Sequence, residues 1–456
     1  MERAACPVGW SCLEYGNSTD PQTIDPQLAQ TVNEATILRE LFEGLMADGP
    51  DGAPVPGVAD SWTTSADGLT WTFHLRPEVW SDGQPLTAND FVFAYRHMLD
   101  PKTGSPYAYL LYVLKGAQAA NMGGALDQIG ARALDDHTLQ LTLEHPASYL
   151  PQLLKHQAFF PIPEHVVRRW GADWVKAGRM VSNGAYVLKD WRLGDYLRIE
   201  RNPRYHGASS VCFDRVNFYA LNDTVSAERR VLRGEIDINA GIQSNRVQRL
   251  RSRPDSARFV HSHPLLSTNY LIFNRRDVAP LKDLRVRQAI SMAIDRTFIT
   301  EKLMRAGQVP TTSFVPRDIA GYLPANEAHP APYWSTWPLQ QRQAEARRLL
   351  AAAGYGPGRP LRLELKTFNL PGSLVIPESV QADLHAVGVD VTFRQEDGAV
   401  IFQSFNNRDF QLGFAGWVAD YDDPMTFLGL MKSDTGAQNY GDYKNPAYDA
   451  LLKAAD

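Results

Sequence analysis

The chain has 456 residues, of which 44% are hydrophobic and 21% charged, and its formal net charge is −5. This length exceeds one compact core and predicts two or three domains with a soluble globular composition. No run approaches the roughly 18 consecutive apolar residues of a membrane helix. The charge is spread along the chain without a basic stripe, which argues against nucleic acid as the main ligand.

The N-terminal third predicts strands and one well-marked helix. Alternating apolar residues indicate half-buried strands at 69–75 and 139–143. Thr87 opens a helix, with Asp90 three residues later as its capping-box partner. The apolar stripe of this helix consists of Phe91, Ala94, Tyr95 and Met98.

The middle of the chain predicts two further helices. Apolar residues at intervals of three and four indicate one continuous helix at 283–304. A second helix at 339–353 ends at Gly354, which suits a C-cap. The stretch 324–338 between them is rich in proline and tryptophan and is predicted to be a long surface loop.

From residue 361 the pattern alternates between strands and helices. The predicted order is strand 361–365, helix 375–387, strand 389–394, helix 398–406 and strand 410–417. This order implies right-handed crossovers and a parallel sheet, which is an α/β architecture. Because ligands of open parallel sheets bind beyond the carboxyl ends of the strands, Asp420 is predicted to lie where a ligand would sit.

The segment 416–424 places three carboxylates within four residues. Asp423 precedes Pro424 and suits an N-cap, and Asp422 is also favourable at a helix start. Asp420 is left without such a local role. From the local pattern alone it is either a solvated loop acid or a ligand-binding carboxylate.

The cysteines and histidines predict no metal site. Cys6, Cys12 and Cys212 form no C-x-x-C pair. Cys6 and Cys12 could form a disulfide in an oxidising compartment, but we predict two free thiols in a frayed tail. The imidazoles of His261 and His263 would share one face of a strand, which could bind metal, yet no third ligand is visible.

The chain also lacks the common catalytic motifs. It has no nucleophile elbow, no His-Glu-x-x-His and no phosphate-binding glycine loop. A hydrolase with paired carboxylates stays an alternative, because the distance between two acids in space cannot be read from the sequence.

Short motifs in a fixed order extend almost from end to end. They include TIDP at 23–26, LFEGL at 41–45, WTFHLR at 71–76, WSDG at 80–83, NGAY at 183–186, DLRVRQA at 283–289 and GWVADYDDP at 416–424. In this order the sequence resembles the peptide-binding proteins of bacterial ATP-binding-cassette (ABC) importers, solute-binding family 5, and within it the oligopeptide-binding branch.

The resemblance implies a periplasmic binding protein-like α/β fold. It would be bilobed with an extra inserted domain, three lobes in all, and its mixed sheets would be flanked by helices. Lobe I would comprise 1–45 and 182–266, lobe II the insertion 46–181, and lobe III residues 267–456. Family members continue past the position of Asp456 and return to lobe I, so this return is expected to be missing. The first residues show no signal-peptide pattern.

The resemblance also implies a receptor and not an enzyme. It would be a monomeric periplasmic or extracytoplasmic protein without a cofactor that closes by a hinge around a short peptide. It would then deliver the peptide to an ABC importer permease. The peptide would lie extended and form strand-like main-chain hydrogen bonds. Some relatives carry metal chelates, sugars or other small solutes, and these stay the alternative ligands.

Asp420 matches the family's aspartate that receives the α-ammonium of the peptide. The other implied contacts are Val32, Tyr107, Tyr270, Asn369, Gly416, Trp417 and Val418. Phe414 stands where a relative has an arginine that helps to hold the carboxylate of a tripeptide. Recognition of the peptide C-terminus is therefore expected to differ in this chain.

Overall fold

The computed structural model describes residues 5–325 and 330–455. They belong to two compact units, the first ending at Gly241 and the second beginning at Ile242. Among these residues, no helix combines the length and the apolar character needed to span a bilayer. The predicted loop at 324–338 and the outer ends of lobes I and III lie partly outside the described residues.

The first unit contains two larger sheets. Its strands are β1 (Cys12–Gly16), β2 (Met46–Asp48), β3 (Pro54–Pro56), β4 (Ala59–Thr64), β5 (Thr70–Leu75), β6 (Glu78–Val79), β7 (Pro85–Leu86), β8 (Ala131–Asp135), β9 (Thr138–Thr142), β10 (Tyr186–Arg192), β11 (Tyr196–Arg201), β12 (Arg215–Tyr219) and β13 (Ile238–Asn239). Its α-helices are α1 (Val32–Leu41), α2 (Ala88–Leu99), α3 (Ala117–Asn121), α4 (Leu150–Leu153), α5 (Glu164–Trp170) and α6 (Thr224–Leu232).

The five-stranded sheet has the order β10-β11-β12-β1-β13, and a four-stranded sheet has the order β4-β5-β9-β8. The five-stranded sheet combines strands from both sides of the segment 46–181, whereas the four-stranded sheet is built within that segment. This composition agrees with an inserted domain, and the exact lobe boundaries stay a prediction.

Helix α2 begins as its sequence predicts. The Asp90 carboxylate accepts the backbone N–H of Thr87 at 2.8 Å, which completes the capping box. Such a cap stabilises a helix by about 1 kcal/mol. The predicted stripe is fully buried, at 0% exposure for Phe91, Ala94, Tyr95 and Met98.

The second unit is built around one four-stranded sheet. Its strands are β14 (Ser267–Phe273), β15 (Leu361–Phe368), β16 (Val389–Glu396) and β17 (Leu412–Val418). Its α-helices are α7 (Val247–Arg251), α8 (Ala279–Lys282), α9 (Leu284–Ala293), α10 (Leu339–Ala352), α11 (Val375–His385), α12 (Gly398–Asn407), α13 (Met425–Leu428) and α14 (Pro446–Ala455), and a π-helix spans Phe298–Met304.

The strand order is β14-β17-β15-β16. β15 is parallel to both of its neighbours, and β14 is an antiparallel edge strand on β17. The α/β prediction for 361–417 is therefore confirmed. Leu361, Leu363 and Leu365 are at most 3% exposed, because the alternating side chains of β15 enter the core of this unit.

The continuous helix predicted at 283–304 is wrong. The α-helix ends at Ala293, and Ile294 is extended (ψ 126°). The backbone N–H of Asp295 donates to the Asp383 carboxylate at 2.8 Å instead of to a carbonyl of the preceding turn. A contact to α11, 88 residues away in sequence, thus replaces a helical hydrogen bond.

The prediction of two free thiols at Cys6 and Cys12 is also wrong, because the two cysteines form a disulfide. A turn closed by a hydrogen bond from the Trp10 N–H to the Pro7 carbonyl reverses the chain between them. Their Cα atoms come within 5.9 Å, inside the range that a disulfide bridges. Cys212 is an exposed free thiol.

Candidate functional site

Asp420 lies two residues beyond the carboxyl end of β17 and is half-buried. Its backbone N–H donates to Thr426 Oγ1 at 3.0 Å, and the Thr426 hydroxyl lies 3.4 Å from the Asp420 carboxylate. Trp417 Nε1 also donates to Thr426 Oγ1, at 3.4 Å. The Thr426 hydroxyl thus holds both Trp417, near the end of β17, and Asp420, in the loop that follows the strand.

Thr426 is not among the site residues predicted from the sequence. The signal was present, because Asp423-Pro424 marks the start of α13 and the residues of its first turn lie close to the preceding loop. Asp423 accepts the Met425 N–H at 2.8 Å, as an N-cap residue does. Asp422 accepts the Ala320 N–H at 2.9 Å, so it holds a distant loop in addition to its place before the helix.

The two edges of β17 differ. β14 pairs along the whole strand, from Phe273↔Leu412 to Ser267↔Val418. β15 pairs only through Leu365↔Leu412 and Lys366↔Gly413. Beyond Gly413, no strand of the described part of the chain pairs with the edge that faces away from β14.

The backbone groups of Gly416 and Val418 point to that second edge. The N–H of Ala419 donates to the Leu266 carbonyl at 2.8 Å, on the β14 side. Successive residues of a strand direct their N–H and C=O groups to opposite edges, so Gly416 and Val418 direct theirs away from β14. An extended ligand chain could add to the sheet there, ending beside Asp420.

A chain of aromatic contacts runs from β14 to α13. Tyr270 of β14 pairs with Ala415, and its ring contacts Phe314 edge-on with centroids 4.8 Å apart. Phe314 in turn contacts Phe427 of α13 at 5.6 Å. Burial raises the pKa of the Tyr270 phenol, so this hydroxyl stays protonated. Phe414 is half-buried and packs against the core of the unit.

Asn369 follows β15 directly and is exposed. Its side chain donates to Asp397 Oδ1 at 3.0 Å. Because β15 and β17 are parallel, their carboxyl ends lie at the same end of the sheet, and Asn369 and Asp420 both follow there. The structure thus places seven predicted residues on, or one to two residues after, neighbouring strands of the second unit: Tyr270, Asn369, Phe414, Gly416, Trp417, Val418 and Asp420.

The other two predicted residues belong to the first unit. Val32 is the first residue of α1 and is 59% exposed. Tyr107 is buried and packs between Tyr109 and His156, with ring centroids 6.1 Å and 5.0 Å away. Their predicted roles toward a peptide stay predictions.

A group of titratable side chains in the first unit has the composition of a metal site. Glu43, Glu78 and His206 place one ligand atom each within 4.8 Å of one another. Arg76 Nη1 lies 2.7 Å from His206 Nδ1, so Nδ1 accepts and the ring proton is assigned to Nε2. Nε2 then donates to Glu43 Oε1 at 3.0 Å.

Glu78 has the least exposed side chain of this group, at 6% compared with 10% for Glu43. Burial, reinforced by the charge of Glu43, raises the pKa of Glu78 to about 7. Its Oε1 lies 3.5 Å from Arg76 Nε. A cation would have to displace both the ring proton and the guanidinium, so the prediction of no metal is kept.

His261 and His263, the other metal candidates, are both exposed. Within 5–325 and 330–455, the group around Glu43 is the one set of three such side chains at ligand spacing.

Comparison with known proteins decides the family. Residues 53–439 match the family described as "Bacterial extracellular solute-binding proteins, family 5 Middle". The chain belongs to this family. Membership confirms the prediction of a binding protein rather than an enzyme, and the family's extracellular character agrees with the expected localisation.

Three relatives of this solute-binding protein come from Escherichia coli (strain K12). The periplasmic murein peptide-binding protein MppA is 37% identical over 441 residues, covering 96% of this chain and 80% of MppA. The periplasmic oligopeptide-binding protein OppA is 35% identical over 454 residues, covering 96% and 80%. The probable deoxycholate-binding periplasmic protein YgiS is 34% identical over 450 residues, covering 97% and 82%.

The solved structure of the murein tripeptide-binding protein MppA matches this fold with a TM-score of 0.93 at 35% identity. The match covers 98% of this chain and 87% of that chain. The predicted periplasmic binding protein-like class is thereby confirmed, as is the oligopeptide branch of family 5.

Proposed function

We propose that this solute-binding protein is an extracytoplasmic receptor for short peptides, which it delivers to the permease of an ABC importer. The main support is the edge of β17 that faces away from β14. The backbone N–H and C=O groups of Gly416 and Val418 point to this edge, and Asp420 lies two residues beyond the end of the strand. A peptide added as a strand would form main-chain hydrogen bonds there, which do not depend on its sequence.

Asp420 is proposed to receive the α-ammonium of the peptide. A desolvated ammonium without a fixed counter-charge costs several kcal/mol, and a charge-assisted hydrogen bond to a carboxylate offsets this cost. Thr426 holds the Asp420 backbone at 3.0 Å, so the carboxylate is oriented before the ligand binds. The ion pair would also fix the register of the peptide on the strand.

Isothermal titration calorimetry with a tripeptide and its N-acetylated form tests this assignment. We expect acetylation and Asp420→Asn each to weaken binding at least a hundredfold, because either change leaves a desolvated charged or polar partner unpaired. Asp422→Asn is the matched control, since it removes the same charge two residues away and keeps an acceptor for the Ala320 N–H. Equal affinity for free and acetylated peptides would refute the role of Asp420.

Titration with deoxycholate, the ligand in the name of YgiS, distinguishes a peptide receptor from a bile-acid receptor. A bile acid has a carboxylate and no ammonium, so Asp420→Asn would not weaken its binding. Tight binding of deoxycholate together with no binding of a peptide mixture would overturn the proposed substrate class.

A further inference from the structure

A concentration of arginine at the start of the second unit lies outside the residues that we propose for peptide binding. Residues 244–265 contain five arginines and one acid, Asp255, which gives a formal charge of +4 with neutral histidines. The whole chain carries −5, so the remainder carries −9. The sequence prediction of a charge spread along the chain without a basic stripe did not take account of this segment.

The segment presents its cations to solvent. In α7, Val247 and Leu250 are 7% and 5% exposed, whereas Arg249 and Arg251 are exposed. Residues 257–265 are exposed except for the half-buried Val260. Two large apolar side chains are among them, Phe259 at 44% and Leu265 at 67% exposure.

Two hydrogen bonds and one cation–π contact connect parts of this segment with each other and with the backbone of Arg305. Arg251 Nη2 donates to Ser262 Oγ at 2.7 Å, and the Arg258 guanidinium lies 4.6 Å from the Phe259 ring centroid. Gln248 Nε2 donates to the Arg305 carbonyl at 3.1 Å, which adds the exposed Arg305. We call the set Arg249, Arg251, Arg258, Phe259, Leu265 and Arg305 the basic surface.

We propose that the basic surface binds the anionic phospholipid surface of a bilayer. Each arginine close to an anionic membrane raises the partition coefficient about fivefold. Exposed aromatic and aliphatic side chains between arginines are typical of segments that rest in the headgroup region. A soluble polyanion would engage the charges but would leave Phe259 and Leu265 in water, so the apolar pair favours lipid.

Vesicle sedimentation tests the proposal without any peptide, so its outcome is independent of the proposed function. Wild-type protein is mixed with phosphatidylcholine vesicles with or without phosphatidylglycerol, at about 0.05 M and about 0.5 M salt. We expect binding only with phosphatidylglycerol, strongly reduced at high salt because exposed charges are screened. Phe259→Ser should lower the fraction that stays bound at high salt.

Two triple variants identify the surface. Arg249→Gln/Arg251→Gln/Arg258→Gln should lower the partition coefficient about a hundredfold. The control Arg317→Gln/Arg359→Gln/Arg362→Gln removes the same charge from other exposed positions of the unit and should bind as wild type. Circular dichroism verifies that both variants fold.

Three results would overturn the proposal. One is no binding of wild-type protein to phosphatidylglycerol vesicles. Another is an equal decrease of the partition coefficient in both triple variants, which would show that binding depends on the net charge of the protein and not on this surface. The third is tighter binding to the soluble polyanion heparin than to vesicles, which would assign the surface to an acidic macromolecule.

Discussion

Replacing Glu78 by glutamine tests the electrostatics of the group formed with Glu43, Arg76 and His206. In the folded chain burial and the Glu43 carboxylate raise the pKa of Glu78 from 4.5 to about 7, and His206 and Arg76 offset part of this rise. A carboxyl group whose pKa is raised by folding binds more protons in the folded state than in the unfolded state. Stability therefore falls as the pH rises from 4.5 to about 7.

The size of this loss follows from the two pKa values. At about 1.4 kcal/mol per pKa unit, the rise from 4.5 to about 7 corresponds to about 3 kcal/mol. Glutamine stays neutral at every pH and resembles the protonated side chain. Glu78→Gln should therefore differ little from wild type in acid and be more stable by about 3 kcal/mol above neutral pH.

Urea unfolding of the full chain, followed by far-UV circular dichroism between about pH 4.5 and pH 8, measures this difference. Subtracting the wild-type curve from the variant curve removes the titration of the groups that do not interact with Glu78. Glu144→Gln serves as the control, since Glu144 is an exposed acid of the same unit. Parallel curves for wild type and Glu78→Gln would refute the reasoning.

Three further predictions concern other parts of the chain. Replacing both cysteines of the Cys6–Cys12 disulfide by serine should lower the unfolding free energy by about 2 kcal/mol, as measured by urea unfolding with and without reductant. Gly413→Ala should lower the unfolding free energy by about 1–3 kcal/mol in the same assay, because the added Cβ would lie 2.8 Å from a carbon of the Phe405 ring. An unchanged midpoint of urea unfolding would show that the ring moves freely. Thr426→Val should weaken peptide binding in calorimetry, because its hydroxyl holds the Asp420 backbone. The variant should also lose about 1–3 kcal/mol of unfolding free energy, because Trp417 Nε1 and the Asp420 N–H lose their acceptor. Unchanged peptide affinity would contradict the positioning role.

Much of the second unit could be predicted because its local patterns and its packing agree. The leucines of β15 alternate in sequence and their side chains are buried in the core, and α10 ends before Gly354, whose φ is +90°. The break after Ala293 could not be predicted, because it depends on Asp383 accepting the Asp295 N–H. Apolar periodicity within one segment contains no information about such a partner.

The candidate site shows the same limit. The position of Asp420 beyond a parallel strand followed from the order of strands and helices. The early end of the ladder between β15 and β17 at Gly413 has no mark in the sequence, because it depends on how two strands diverge in space. Thr426 was missed although Asp423-Pro424 marks the helix start beside it, because its hydroxyl acts through the backbone of a residue in another element.

The position of β1 inside the five-stranded sheet has a consequence for biogenesis. β1 lies between β12 and β13, so a strand formed by residues 12–16 must wait for partners that begin at Arg215 and Ile238. During synthesis the ribosome releases some 200 residues before this sheet can close, and long-range pairing of this kind is slow. The four-stranded sheet within 46–181 has no such delay, because all four of its strands lie between residues 59 and 142 and are synthesised before β12 and β13. A nascent chain with this topology keeps its leading end open until about half of these 456 residues have been made, a state that suits passage through a narrow translocation channel before folding is complete.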